Sequence, residues 1–465
     1  MRIEHDLLGE KEIEDSSYYG VHTQRAMENF NISGKPMHCE LIRALAIVKK
    51  AAAMANGEAG LLEERLERAI CAACNDVLSG RLDNQFVVDC MQGGAGTSAN
   101  MNMNEVLANR AIELLGGSKG DYSVVHPLDH VNMSQSTNDV FPTAVRIAAI
   151  RLLSPVSGLF AELQTALQQK EEEFATVLKV GRTQLQDAVP VTLGQEFGAW
   201  AQAVARDRWR LYKAEERLRQ INLGGTAVGT GLNAERKYIF SAAEKLRALT
   251  GIGLARAEYM MDITQNNDVF VEVSGLLKAA AVNLSKIASD LRLLSSGPRA
   301  GIGEIRLPEA QAGSSIMPGK VNPVIPEAVN QIAFQIMGND LAITLAAQSG
   351  QLELNAFLPV IARNLFEMLD LLRNGIRIFI DKCIKGIEAD TARCSLLLEG
   401  SLSLATALSG YIGYEKATLV AKRCAVENRG VRELIMEERL IEEEKLDLIL
   451  SAYGMTKPGI PGKKG

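Results

Sequence analysis

Residues 269–294 read VFVEVSGLLKAAAVNLSKIASDLRLL, with no proline among them. Phe270, Val273, Leu277, Ala280, Leu284, Ile287, Leu291 and Leu294 step alternately by three and four. That is a heptad seam, which a helix presents along one line and a strand cannot. A helix lying on a globular core usually shows a broader apolar face, so the narrow seam predicts near-parallel packing in a bundle. Outward from it, residues 194–220 carry a weaker seam in Phe197, Val204, Leu211 and Leu218, with Arg208 and Glu215 between them. Helices of about 27 residues, at ~1.5 Å per residue, are rods of ~40 Å. Rods of that length need partners along their whole extent, which predicts oligomerisation through helix faces.

The long proline-poor stretches lie between residues 140 and 390, roughly. Before them come shorter helical patterns over residues 41–56 and 61–79, joined by polar loops. After them come short amphipathic pieces and a Gly/Pro/Lys tail expected to fray. The reading is a mainly α chain in three parts, with little strand-like alternation. An N-terminal helical domain covers 1–139, a central helix-bundle domain 140–391 and a small C-terminal domain 392–465.

Composition narrows the function classes. The chain has 465 residues, more than the ~250–300 at which one core stops growing, so several domains or an elongated bundle are expected. A net charge of −6 leaves no basic stripe for nucleic acid. No apolar run approaches the ~18–20 residues of a membrane span, and the first residues hold no signal-peptide core. Seven cysteines form no disulfide framework, which fits a reducing compartment. A cytoplasmic protein without membrane or nucleic-acid partners is expected.

The chemistry concentrates in residues 313–326, GSSIMPGKVNPVIP. Gly313 and Gly319 permit unusual backbone angles, and Pro318, Pro323 and Pro326 forbid a continuous helix. The result is a polar loop able to surround a small anion. Lys320 brings positive charge, Asn322 amide donors, and Ser314 or Ser315 a nucleophile or base. Many such loops are solvated turns, so three further blocks matter. Residues 92–104, QGGAGTSANMNMN, place glycines before Thr97 and Ser98, where successive N–H groups can converge on a carboxylate or phosphate. No Gly-Lys-Ser/Thr follows, so this is not a P-loop. Residues 132–143, NMSQSTNDVFPT, set Ser136, Thr137 and Asn138 at the head of a helix. There they serve as an N-cap, an anion-binding edge, or both. Thr183 and Gln184 lie in a polar loop before the next helix, and a glycine-rich crossing at 222–233 is expected to border the site.

In order and spacing these blocks resemble the aspartase/fumarase superfamily across nearly the whole chain. GGAGTSANMN, KVNPVIPE and the N-terminal YYGVHT resemble its aspartase branch more than its class II fumarases. The resemblance implies a three-domain fold with a central long-helix bundle and a homotetramer whose active sites are shared between subunits. It also implies elimination of ammonia from L-aspartate to give fumarate through an aci-carboxylate; the alternative is a class II fumarase acting on fumarate and L-malate. Ser314 matches the catalytic base. Lys320, Asn322, Thr183 and Gln184 match groups on one substrate carboxylate, while Thr97, Ser136, Thr137 and Ser315 match groups on the carboxylate that becomes the aci-acid. Asn138 matches a residue near the leaving amine. Ser98, Arg25 and Met317 are weaker candidates. Many superfamily members have histidine where this chain has Gln184, so an imidazole acid or base is excluded at that point. No cofactor is required, Mg²⁺ activation stays open, and no metal-ligand cluster is evident. Cys71 and Cys74 read as small buried hydrophobes, and His126 and His130 as loop or cap residues.

Overall fold

The computed structural model describes residues 1–461; the last four residues of the Gly/Pro/Lys tail lie outside the described residues. In chain order the helices are α1 (Val21–Asn29), α2 (Cys39–Ala59), α3 (Glu64–Leu78), α4 (Thr97–Leu114), α5 (Thr137–Glu173) and α6 (Leu193–Leu218). Then follow α7 (Arg236–Thr250), α8 (Met260–Gln265), α9 (Asp268–Leu294), α10 (Val324–Gln348) and α11 (Leu358–Lys382). The C-terminal helices are α12 (Thr391–Gly400), α13 (Leu404–Ile412), α14 (Tyr414–Glu427), α15 (Val431–Glu437), α16 (Glu443–Ile449) and α17 (Ala452–Thr456). The fold is mainly α with a central long-helix bundle. All eight seam residues of α9 are at most 7% exposed, and Phe197, Val204, Leu211 and Leu218 of α6 are fully buried.

The chain forms two compact units. The first comprises Met1–Ser157, Trp209–Ala279 and Phe334–Arg373; the second comprises Gly158–Arg208, Ala280–Ala333 and Asn374–Gly465. Helices α5, α6, α9, α10 and α11 each begin in one unit and end in the other.

In the first unit an antiparallel ribbon, β1 (Arg2–Asp6) and β2 (Gly9–Ile13), precedes α1. Helix α2 packs against α3 and α7, and α4 against α1 and α3. The α2 stripe of Leu41, Leu45, Val48 and Ala52 is buried. The start of α1 is held by Glu105 of α4, which accepts from the backbone N–H groups of Gly20, His22 and Thr23 and from the Thr23 hydroxyl. In the second unit a second ribbon, β3 (Leu178–Thr183) and β4 (Gln186–Thr192), is covered by the C-terminal helices. Val180 joins a core with Leu398, Leu404, Leu408, Leu434, Ile435, Leu446 and Ile449.

Three local readings change. Thr183 and Gln184 are not in an open loop: Thr183 ends β3, and Gln184 with Leu185 forms the tip of a two-residue hairpin. Pro326 does not stand outside a helix; it lies in the first turn of α10, where a missing N–H costs no intrahelical bond. Helix α5 is long and apolar enough to cross a membrane by length and composition, although two-thirds of that window is buried inside the protein (67%). Its burial is that of a core helix.

Candidate active site

The site residues of the first unit gather where the helices α4 and α5 begin. The turn before α4 runs through Gly94, Ala95 and Gly96, all with positive φ. Gly96 is required there twice over: φ is +95°, and a Cβ would stand 2.6 Å from the Phe141 ring. The turn leaves Thr97 exposed at the helix start, its hydroxyl donating to the Gly94 carbonyl (2.6 Å), and Ser98 half-buried beside it. Ser136 caps α5, its Oγ accepting from the Asn138 N–H, while Asp139 accepts from the Ser136 N–H (2.9 Å). Ser136 thus satisfies the N–H at the second helical position while Asp139 reaches back to the Ser136 N–H.

Asp139 does more than cap. Its second oxygen accepts from the Gly224 and Thr226 N–H groups, both at 3.0 Å, drawing the glycine-rich crossing onto α5. Asp139 is fully buried, and burial pushes its carboxyl up to about 6, against those N–H donors and Lys49. Asn138 donates its amide to the Ala227 carbonyl (2.7 Å), which fixes its Oδ1 as the free end. The crossing at 222–233 therefore does border these residues.

Beneath Thr137 lies a buried amide network that the sequence reading did not single out. Asn132 Oδ1 accepts from Lys49 Nζ (2.8 Å), Asn100 Nδ2 (3.2 Å) and Asn104 Nδ2 (3.2 Å). Asn100 Nδ2 also donates to Thr137 Oγ1 (3.1 Å). The signals were present: Asn100 and Asn104 are four apart on one helical face, and Lys49 sits on the apolar stripe of α2.

The second unit carries Ser314, Ser315, Met317, Lys320, Asn322, Thr183 and Gln184. The 313–322 loop is closed by Gly313 N–H to the Lys320 carbonyl and by Asn322 Nδ2 to the Gly313 carbonyl, each 2.8 Å. A Cβ on Gly313 would lie 2.5 Å from the Lys320 carbonyl oxygen. Inside the loop, Ser314 Oγ accepts from the N–H groups of Ile316 (3.2 Å) and Met317 (2.9 Å). Two N–H donors favour negative charge on that oxygen. Ser314 is half-buried, while Ser315, Met317 and Lys320 are exposed.

The ribbon under Thr183 is held by charge. Arg182 makes a fork-to-fork pair with Glu304 (3.0 and 2.9 Å), and Lys179 reaches both Glu304 (3.1 Å) and Glu196 (2.8 Å). Lys179 and Glu304 are at most 1% exposed, so removing either would strand a buried charge.

Other candidates are structurally engaged. Arg25 binds both oxygens of Asp6 and the Gly9 carbonyl, tying α1 to the first ribbon. His126 Nδ1 accepts from the Leu128 and Asp129 N–H groups, a cap as expected. All seven cysteines are free. Among the described residues no group of three or more His, Cys, Asp or Glu side chains is placed to hold a metal ion.

A family model described as Lyase matches residues 9–338, and one described as fumarase C C-terminus matches residues 404–457. The chain therefore belongs to the lyase family of the aspartase/fumarase superfamily. It is 50% identical to the aspartate ammonia-lyase of Bacillus subtilis, over 100% of this chain and 98% of that one. It is 47% identical to the aspartate ammonia-lyase of Escherichia coli, with the same coverage. Among solved structures, a fumarate lyase:delta crystallin from Brucella melitensis bound to cobalt matches with a TM-score of 0.96 at 50% identity, covering 98% of this chain and 100% of that one. A class II fumarase from Schistosoma mansoni matches with a TM-score of 0.93 at 35% identity, covering 98% and 99%.

Proposed function

We infer that this chain is an aspartate ammonia-lyase, a carbon–nitrogen lyase that interconverts L-aspartate with fumarate and ammonia. The end-to-end likeness to enzymes of that name carries this conclusion. The 313–326 loop, with Ser314, Lys320 and Asn322 in place, supports it.

The proton beside a carboxylate is weakly acidic, and removing it loads two negative charges onto one end of the substrate. Catalysis must therefore rest mainly on preorganised donors around that end. In the mechanism proposed here Ser314 takes the proton, its oxygen prepared by the Ile316 and Met317 N–H groups. Lys320, Asn322, Thr183 and Gln184 hold the carboxylate that does not become the aci-acid. Thr97, Ser136, Thr137 and Ser315 hold the one that does. Thr137 suits this role: its oxygen accepts from Asn100, so its own proton is free for an anion. Asn138, with Oδ1 as its free end, presents an acceptor to the amine, which leaves as ammonia. No cofactor takes part, and Mg²⁺ acts at most as an activator.

The proposed assembly is a homotetramer whose sites draw loops from three subunits. Large apolar residues exposed on the long helices support it: Trp209 and Tyr212 on α6, Val282 and Leu293 on α9, and Phe334, Leu341 and Leu345 on α10. The proposed location is the cytoplasm, and the division at residues 139 and 391 is the proposed domain layout.

The test follows fumarate absorbance from L-aspartate and from L-malate. Fumarate from aspartate is expected; fumarate from malate alone would overturn the reading in favour of a fumarase.

A further inference from the structure

Lys49 stands out among the buried groups that the proposed mechanism does not use. It projects from the middle of α2 and is 0% exposed. Its ammonium donates to two neutral amide oxygens, Asn132 Oδ1 (2.8 Å) and Gln135 Oε1 (2.9 Å), and among the described residues no carboxylate lies within ion-pair distance of it. A cation taken out of water and given only neutral acceptors is costly. An anion arriving nearby would offset that cost.

The network shows where that is. An ammonium only donates, so Lys49 forces Asn132 to present its oxygen. That oxygen orients the amides of Asn100 and Asn104 as donors, and Asn100 passes the same polarity to Thr137 Oγ1. The Thr137 proton is then left facing away from the network. We propose that Lys49 is a positioning residue for the elimination: through Asn132 and Asn100 it aims the Thr137 proton at the aci-carboxylate, and it supplies buried positive charge beneath that end of the substrate. This rests on the reading of Thr137 as a carboxylate holder.

Protonation follows from the same geometry. The titratable groups facing Lys49 are Asp139 at the head of α5 and Cys74 of α3. Tyr238 of α7 faces Asp139 in turn, and burial keeps the Cys74 thiol and Tyr238 neutral. Burial pulls Lys49 down from 10.5 to about 7, with Asp139 opposing. A bound dianion raises it again. Between those two values, binding draws a proton into the protein.

Calorimetry of succinate binding, repeated at about pH 8 in buffers of different ionisation enthalpy, reads that proton directly. Succinate lacks the leaving amine, so chemistry does not intrude. The wild type and Ser314→Ala are expected to take up most of one proton. Lys49→Met is expected to take up none and to lose about 100-fold in kcat, with a smaller change in KM. A kcat near wild type in a folded Lys49→Met overturns the proposal, and where that variant does not fold, a wild-type kcat in Asn132→Ala, which cuts the same relay, does so. Thr137→Ala separates the underlying reading: unchanged succinate affinity there defeats Thr137 as a carboxylate holder. Weakened affinity there, with Lys49→Met behaving as wild type, defeats the proposal on Lys49 alone.

Discussion

The proposed catalytic residues fall into two groups that are built by opposite means. In the first unit, Ser136, Thr137 and Asn138 are half-buried: Ser136 is tied to the buried Asp139, Thr137 to the buried Asn100 and through it to Asn132, and Asn138 to the Ala227 carbonyl of the 222–233 crossing. In the second unit, Ser314, Lys320 and Asn322 sit on a largely exposed loop closed by two 2.8 Å hydrogen bonds. Side chains tied into several hydrogen bonds beneath the surface are preorganised, whereas exposed loops with few bonds open at little cost. The contrast suits a division of labour. In the proposed mechanism Thr97, Ser136 and Thr137 of the first group hold charge that develops during reaction, and the loop of the second supplies the base, Ser314, together with Ser315, Lys320 and Asn322 as carboxylate holders.

The largest effect breaks the second half alone. Ser314→Ala should lower kcat by about 1,000-fold or more, because general-base removal commonly costs 10²–10⁴. Succinate affinity and the circular dichroism melt should stay near wild type. Activity surviving near the wild-type level would remove Ser314 as the base.

A pair of glycine substitutions then sets the two halves against each other. Gly96→Ala forces a methyl against the buried Phe141 ring at a residue with φ of +95°. It should cost about 3 kcal/mol of stability, as overpacking and backbone strain do elsewhere. Gly313→Ala meets the Lys320 carbonyl and the Asn322 N–H, both in the loop itself. The loop can open instead of straining the core, so activity should fall by about 10-fold or more while the melting temperature holds. If Gly313→Ala melts early and Gly96→Ala does not, the contrast between built and closing halves is wrong.

Parts of this contrast were legible in the sequence. The α9 seam is a repeating local pattern, and local patterns survive without tertiary knowledge. The Ser-Ser, Lys and Asn of the 313–326 loop were visible because polar side chains between glycines and prolines have few structural uses. The support beneath Thr137 was not visible. Lys49, Asn100 and Asn132 are far apart in sequence, and only the closure of α2 and α4 over residues 132–135 brings them together. A lysine on an apolar stripe reads as a surface residue until its neighbours are known. The hairpin at Thr183 was missed for a different reason. Two-residue turns are recognised by Asn-Gly or Asp-Gly, and this one is Gln184-Leu185.

Asp139 gives the contrast a pH dependence. Burial raises its folded-state value from 3.8 to about 6. Between those values the folded protein holds more protons than the unfolded chain, so this group's contribution to stability falls as pH rises through the window. Asp139→Asn removes that slope but loses an acceptor for the Gly224 and Thr226 N–H groups. The variant should be less stable by about 1–3 kcal/mol. Its deficit in urea unfolding should shrink from about pH 4 to pH 6, the window just derived. A deficit that widens over that range would mean the carboxylate is ionised throughout, and the cradle less buried than its geometry indicates.

The smallest effect concerns the hairpin tip. Gln184 and Leu185 have φ of +53° and +61°, a region that L side chains enter at a cost of ~1 kcal/mol. Leu185 is 73% exposed, so its side chain returns little of that cost through burial. Glycine adopts the same angles freely. Leu185→Gly should therefore strengthen the turn by about 0.5–1 kcal/mol, less the extra entropy of the unfolded glycine. Slower amide hydrogen exchange in β3 and β4 would register it, with kcat unchanged. The ribbon below is pinned by Glu304 to Lys179 and Arg182 and by Val180 in the C-terminal core. If relaxing the tip instead lowers kcat, the strained tip is what holds Thr183 in register, and the second half of the site is more preorganised than its exposure suggests.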